Sequence, residues 1–530
     1  MEFTDNRRWE FFFFVLILWG ILYLPGLGSL EFKGEEGRRV LPAVTMLRTG
    51  NWVLPYVGGE PYFNKPPFIN WLVAGSFKIL WQQSEFAARL PSAIFVLAFV
   101  MLLIRMPGRW MTQEGRTIAA ILFLTNFGIL EKGRLIEIEG VYVCLTGLAL
   151  LWWLNVWSVK GSRWLLWLGA AVLLTCGMLT KGPAHLLFFY APVIGILHKS
   201  RRLKELLRVE HFVGVVVVLG LSWLWFHAAR NQEIGEQMAG QMSGQLISRI
   251  WRDIDIGHII ENFFKSLLYF LPWILFLPMM WDKKLIERLT PENRLIFLGC
   301  RRGMVLVFLL ISLIPGTQSR YTMPVLPIAA LLLGQVMAVN SAFGKGEQIW
   351  KTILLGCLGI SVLTSLAGTF LTVISIVKIL VCIGIAMVCI VIWKRKDMIT
   401  TLSGLVKTTA IVICIFMLQY ALFIPYYAKG HEKRRPVGQQ INDLIGPKET
   451  LYVYKPGYQA FLFYVREPIE YVIKREQITP DIRYLLMKES NWQELQDCET
   501  LKSKEVKTLF KFEYRHKGIF RLLDLSQGEN

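Results

Sequence analysis

Between Glu31 and Arg39, directly after a long apolar run, six of nine residues ionise: Glu31, Lys33, Glu35, Glu36, Arg38 and Arg39. A carboxylate beside guanidinium groups at the edge of a bilayer could act as general base on an acceptor while the cations hold a phosphate leaving group. On spacing alone, a solvated charged cap at the lipid surface accounts for the same residues. A second acidic patch, Glu137 and Glu139, stands in Arg134-Leu135-Ile136-Glu137-Ile138-Glu139-Gly140, where another apolar run begins. Ionisable groups at a helix mouth are expensive unless they pair or act, and here pairing with Lys132 or Arg134 stands beside catalysis. Lys181, in Leu179-Thr180-Lys181-Gly182-Pro183, interrupts an apolar stretch from Trp164 to His198, and Arg320 and Tyr321 precede Pro324 and Pro327 at the entrance to a further one. Each could bind phosphate, or snorkel and anchor a helix end. Two acidic sites on one face of the membrane, one in each early loop, favour a functional role.

Other chemistries lack their residues. The seven histidines show no HExxH spacing, so a zinc hydrolase is unsupported. Seven of the eight cysteines lie in or next to apolar runs without CxxC spacing, and Cys498 stands alone in the polar tail; neither a disulfide framework nor a cysteine metal site is expected. Phosphate-binding loops of the GxxxxGK[ST] and strand-to-helix GxGxxG types are missing as well. A transferase without a nucleotide fold needs its sugar supplied on a lipid carrier.

The elements that must position these residues are membrane helices. At 530 residues, 54% hydrophobic and with a mean hydropathy of +0.43, the chain is too apolar for water. Apolar runs near the roughly 20 residues that cross a hydrocarbon core recur over the first four-fifths. About thirteen spans are expected: 9–24, 90–105, 117–131, 138–157, 164–180, 183–198, 211–227, 264–281, 303–315, 322–340, 351–370, 373–393 and 407–425. The net charge of +19 invites a nucleic-acid reading, but the cations cluster in connections that this count makes cytoplasmic, such as Lys160 and Arg163, or Lys199 to Arg208. No nucleic acid is therefore expected. Arg7 and Arg8 before the first run put the N-terminus in the cytoplasm; no small-residue cleavage site follows to make that run a signal peptide.

Residues 1–425 thus read as a transmembrane domain. Its first extracytoplasmic loop, 26–89, carries amphipathic interfacial helices at Arg38–Arg48 and Phe68–Lys78. An odd span count puts residues 426–530 outside as a small α/β domain, with a helix at Pro436–Ile445 and a strand at Thr450–Tyr454. The polar stretch from His227 to Glu261, with Arg230, Arg249, Arg252, Asp253, Asp255 and His258, could cover a site or be an ordinary exposed loop.

Three segments of the first loop bear a resemblance: Glu35-Glu36-Gly37-Arg38-Arg39, then Met46 to Pro55 with its Gly50-Asn51-Trp52 turn, then Pro61-Tyr62-Phe63-Asn64-Lys65-Pro66-Pro67. They resemble, in order and separation, the protein O-mannosyltransferase and lipid A aminoarabinose transferase group of the GT-C superfamily of membrane glycosyltransferases. Arg134 with Glu139, Thr180-Lys181-Gly182, and Arg320-Tyr321 with Pro324 and Pro327 are similar to further family elements, so the likeness covers roughly residues 9 to 340. It implies an all-α polytopic GT-C-like fold, with Glu35 in the place of the first-loop catalytic Asp and Glu139 in that of the second-loop acid. It places Arg38 and Lys65 on the donor's phosphate, for which Lys181, Arg320 and Tyr321 are further candidates. Glu for Asp at both acidic positions keeps the charge but shifts the reach of a base by more than an ångström, to which productive geometry is sensitive. Asn64 replaces an acidic residue that contributes to a metal spot in aminoarabinose transferases, so no metal and no cofactor are expected.

The resemblance implies transfer, with inversion, from a polyprenyl-phosphate sugar to a glycolipid, polysaccharide or protein acceptor, in contact with membrane lipids, in a bacterial inner membrane. The rivals are a transporter or flippase of a lipid-linked sugar, which would set polar residues near mid-membrane, and a catalytically silent family member.

Overall fold

The computed structural model describes residues 5–105, 108, 110–232, 255–340, 345–371, 376–394, 401–496, 498–502, 504–514 and 518–526. Arg249, Arg252 and Asp253 of the polar stretch lie outside the described residues. The principal helices of the first half are α1 (Asp5–Tyr23), α2 (Gly37–Thr49), α3 (Phe68–Leu80), α4 (Glu85–Arg105), α5 (Gln113–Leu124), α6 (Phe127–Lys132), α7 (Ile138–Ser158), α8 (Arg163–Lys181), α9 (Ala184–Lys199) and α10 (Val209–Arg230). There follow α11 (Ile256–Leu268), α12 (Pro291–Leu313), α13 (Leu326–Ala338), α14 (Lys345–Leu371), α15 (Ile376–Lys394), α16 (Leu402–Lys429) and α17 (Arg435–Leu444). The strands are β1 (Tyr56–Val57), β2 (Glu60–Pro61), β3 (Leu451–Tyr454), β4 (Ile469–Val472), β5 (Tyr484–Lys488), β6 (Glu505–Glu513) and β7 (Ile519–Ser526).

The chain is an integral membrane protein, mostly helical, with a small C-terminal sheet. Each of the thirteen expected spans contains helix, yet among the described residues only 8 helices are long and apolar enough to cross a membrane unaided. Three further stretches are shorter apolar helices, and the stretch at 117–131 is divided between α5 and α6, where Asn126 leaves the helix and caps the next one through Gly128 N–H. The stretch at 264–281 is a broken pair, α11 and the 3-10 segment Trp273–Trp281, meeting at 98° where Pro272 intervenes. The expected span at 303–315 is a full helix of 23 residues that starts earlier, at Pro291, with Thr290 capping it and the proline in its first turn.

The structure divides into two compact units, Met1–Ser29 with Asn64–Ile69 and Arg89–Tyr426, and Leu30–Phe63 with Asn70–Ala88 and Tyr427–Asn530. In the first, α7 and the stretch Ser319–Ala338, which ends in α13, are central, each 89% buried, whereas α10 at 17% turns Phe212, Leu219 and Trp223 outward. Small residues bring helices to backbone contact: a Cβ on Gly299 of α12 would lie 2.6 Å from the Ile196 backbone of α9.

The second unit joins residues of the first loop to the tail. Its sheet has the order β4-β3-β5-β7-β6, with β3 parallel to β4 and β5 and the β5–β7 and β7–β6 pairs antiparallel. Alternation along β3 sends Val453 to one core with Leu41, Ile441 and Leu486, and Tyr454 to another with Leu485 and Leu523. α2 and its following hairpin are thereby braced by the sheet.

Candidate functional site

Helix-end rules place the first cluster. Glu139 falls in the first turn of α7, where the helix dipole favours an acid, and Lys181 is the last residue of α8, where it favours a base. Gly182, at φ +92°, adopts backbone that a side chain resists and so stops α8 there. Because α7 and α8 are consecutive packed helices, acid and base meet at one end of the pair: Lys181 Nζ donates to Glu139 Oε1 at 3.2 Å. Arg320, opening the 3-10 segment Ser319–Val325, brings Nε within 3.4 Å of the same oxygen. That Nε has no aligned hydrogen bond, so the contact is electrostatic. Glu139 is 5% exposed.

Two rings hold the ammonium. Lys181 Nζ lies 4.3 Å from the Tyr321 ring centroid and 5.2 Å from that of Tyr142, a geometry that stabilises a cation through the ring's negative face. Tyr142 follows Glu139 by three residues and shares its helix face. Behind it packs the His185 ring, 5.0 Å away, in space that exists because residue 177 is glycine; a Cβ there would sit 2.1 Å from the imidazole. Thr146 Oγ1 donates to the Tyr142 carbonyl at 3.0 Å, which leaves His185 Nδ1 as the donor in their 3.2 Å contact.

Glu137 and Arg134, neighbours in sequence, do other work. Glu137 pairs with Lys132 at 2.8 Å, the local pairing considered above. Arg134 instead donates to the carbonyls of Leu22 and Pro25, both at 2.6 Å, and fastens the end of α1.

The second unit holds the other predicted acid. Arg38 Nη1 donates to both Glu35 oxygens, at 3.1 and 3.0 Å, and Arg39 Nη2 stands 3.8 Å from Oε2. The Arg38 guanidinium lies 4.9 Å from the Tyr458 ring centroid, and the Tyr458 hydroxyl donates to Gly34 O at 2.9 Å. Residue 37 must be glycine, since a Cβ would meet that hydroxyl at 2.7 Å. Burial first, and the Glu35 carboxylate second, push the Tyr458 phenol up to about 12. Arg39 is buried against Tyr62, whereas the Glu35 and Arg38 side chains keep 36% and 38% of their surface open to solvent.

Of the residues singled out in the sequence, the first unit therefore joins Glu139, Lys181, Arg320 and Tyr321, and the second joins Glu35 and Arg38. Lys65 belongs to the first unit, half-buried in the turn that opens α3, after an exposed Asn64. Tyr142 and Tyr458 were missed. The spacing of Tyr142 from Glu139 was available as a signal; nothing local in the tail marks Tyr458.

The chain as a whole is similar to several known proteins. Residues 64–226 match the family model described as dolichyl-phosphate-mannose-protein mannosyltransferase. An undecaprenyl phosphate-alpha-4-amino-4-deoxy-L-arabinose arabinosyl transferase of Pseudomonas savastanoi pv. phaseolicola is 25% identical over 361 residues, covering 63% of each chain. An uncharacterized protein of Aquifex aeolicus is 23% identical over 458 residues, 84% of this chain and 85% of that one. The matched stretch thus spans just under two thirds of the arabinosyl transferase's length. In fold, the chain is similar over its whole length to ArnT from Cupriavidus metallidurans bound to undecaprenyl phosphate, with a TM-score of 0.69 at 16% identity and 100% of both chains covered.

Proposed function

We propose that the chain is a member of the ArnT-like family of GT-C membrane glycosyltransferases and that it transfers a sugar from a polyprenyl-phosphate donor to an acceptor outside the cytoplasm. The membrane is a bacterial inner one, crossed about thirteen times, with the N-terminus inside and the second unit outside. The acceptor is a glycolipid, a polysaccharide or a protein.

One observation carries this reading: a buried carboxylate, Glu139, shared by two cations that arrive from separate segments, Lys181 and Arg320. One negative and two positive groups leave an excess of one positive charge, which suits a phosphodiester donor. As the sugar leaves, the carrier phosphate gains a second negative charge, and cations already fixed in place stabilise that change without reorganising. Glu139 orients Lys181 and Arg320; Tyr321 keeps the ammonium in position, and Lys65 adds positive charge for the phosphate. Glu35 takes the proton from the acceptor nucleophile, which attacks the anomeric carbon as the carbon–oxygen bond to phosphate breaks on the opposite side, giving inversion. Arg38 holds the Glu35 carboxylate aimed until substrate competes for the guanidinium.

A transporter is disfavoured by position. Glu139 and Lys181 stand at the start of α7 and the end of α8, not half-way along a span. Transfer from a radiolabelled polyprenyl-phosphate sugar in membrane vesicles tests the proposal: Glu35→Gln and Glu139→Gln are each expected to lose at least about 100-fold in rate. Full transfer by Glu35→Gln at normal expression removes Glu35 from the mechanism.

A further inference from the structure

Tyr142 is 2% exposed, and its hydroxyl has no hydrogen-bond partner among the described residues. A phenol taken out of water without a partner loses hydrogen bonds and regains none, so it asks for an explanation. Packing does not supply one: a ring that only covers Lys181 and backs onto His185 needs no oxygen, and phenylalanine would serve. His185 does not supply one either. Its Nδ1 donates to Thr146, so Nε2 carries a lone pair, yet Nε2 also lacks a partner among the described residues. The imidazole lies with Nε2 against Gly177 of α8, inclined at 54° to the phenol ring. A second acceptor is the Glu139 carboxylate, one turn earlier on the same face of α7; long side chains in a helix lean toward its N-terminus, here toward that turn. Glu139 is already engaged. Lys181 Nζ donates to Oε1 at 3.2 Å, Arg320 Nε stands 3.4 Å from the same atom, and the ammonium itself lies 5.2 Å from the Tyr142 ring centroid.

We propose that Tyr142 is a positioning residue: a reserve donor whose hydroxyl bonds to Glu139 when a ligand phosphate draws Lys181 away from that carboxylate. An ammonium that turns from Glu139 to a phosphate leaves a buried carboxylate short of a donor, and a buried charge without its hydrogen bonds is costly. A phenol one turn away, with its proton uncommitted, removes that cost. Lys181 can then turn to the phosphate between its two rings while Glu139 stays where it is and keeps Arg320 aligned. With Lys181 on Glu139, as in this structure, the hydroxyl is spare. The stability lost by burying it is of the kind that functional sites carry and that a stabilising substitution recovers at the expense of activity.

Two measurements on the purified full-length chain test this. The first needs no substrate and stands apart from the transferase reading. Tyr142→Phe removes a spare hydroxyl and should leave the thermal midpoint unchanged or raised. In a Lys181→Met background the phenol has already passed to Glu139, and the same substitution should lower the midpoint by roughly 2–5 °C. The same shift in both backgrounds overturns the proposal. So does a fall in the unaltered background, which shows a hydroxyl bound to a buried water only. The second measurement rests on the transferase reading and covers the case in which Lys181→Met does not fold: Tyr142→Phe should bind undecaprenyl phosphate about tenfold more weakly than the unaltered chain, by native mass spectrometry. Undiminished affinity overturns the proposal. If the unaltered chain does not bind the carrier at all, the transferase reading fails, and the reversal of sign between the two backgrounds still decides the exchange.

Discussion

The two acidic clusters use the same residue types to opposite ends. Around Glu139 the partners come from 42 and 181 residues away and the carboxylate is buried; around Glu35 they come from the same helix turn and more than a third of the side chain faces solvent. A buried carboxylate with two cations is a piece of architecture whose loss leaves charge stranded in a low-dielectric place. An exposed one, held only by i,i+3 and i,i+4 neighbours, contributes little to stability and remains free to exchange partners. Fixed charge suits the binding of a phosphate; exchangeable charge suits a base.

Substitution should separate them. Glu139→Ala strands Lys181 and Arg320, and is expected to cost about 3–5 kcal/mol, read as the largest fall in the thermal midpoint of the detergent-solubilised protein. Next, Glu35→Gln is expected to change stability by less than about 0.5 kcal/mol while abolishing most transfer; a fall in midpoint like that of Glu139→Ala would erase the distinction between the clusters. Glu35→Asp, with the charge kept and the reach shortened, should retain a measurable rate, down by roughly 10–100-fold.

The smallest effect sharpens the comparison on the second unit alone. Tyr458→Phe removes the hydrogen bond to Gly34 and should cost about 1 kcal/mol. It also alters the alkaline limb. The native phenol titrates at about 12 against an ordinary 10.0, so above pH 10 the unfolded chain loses its proton first. Tyr458 therefore contributes a loss of stability as pH rises from 10 toward 12, and none below. Alkaline unfolding followed by near-ultraviolet circular dichroism should be shallower in the phenylalanine variant.

How far the sequence discloses this architecture depends on the range of the interaction. Continuous apolar runs marked the membrane stretches, and Lys181-Gly182-Pro183 marked a helix end, because those signals are local. The start of α12 was hidden by Arg294, Arg301 and Arg302, which read as a polar connection. Yet Arg301 is satisfied inside the helix: it donates to Met280 O at 2.7 Å and lies 5.7 Å from the Trp281 ring centroid. The bend at Pro272 follows from a visible proline, but its 98° angle does not. Resemblance named Glu139, Lys181 and Arg320 and offered both cations to one phosphate, though not that they share the Glu139 carboxylate. The union of first loop and tail was invisible. It depends on contacts such as Phe32 N–H to the Tyr464 hydroxyl, 2.8 Å, across 432 residues, which no periodicity encodes.

The most direct test of the account is the affinity of the purified chain for undecaprenyl phosphate, by native mass spectrometry, with Lys181→Met and Arg320→Met beside the unaltered protein. If the Glu139 cluster grips a carrier phosphate, each variant should bind at least about tenfold more weakly, the worth of a charge-assisted contact. Undiminished binding in both variants, each folded and at equal concentration, would contradict it.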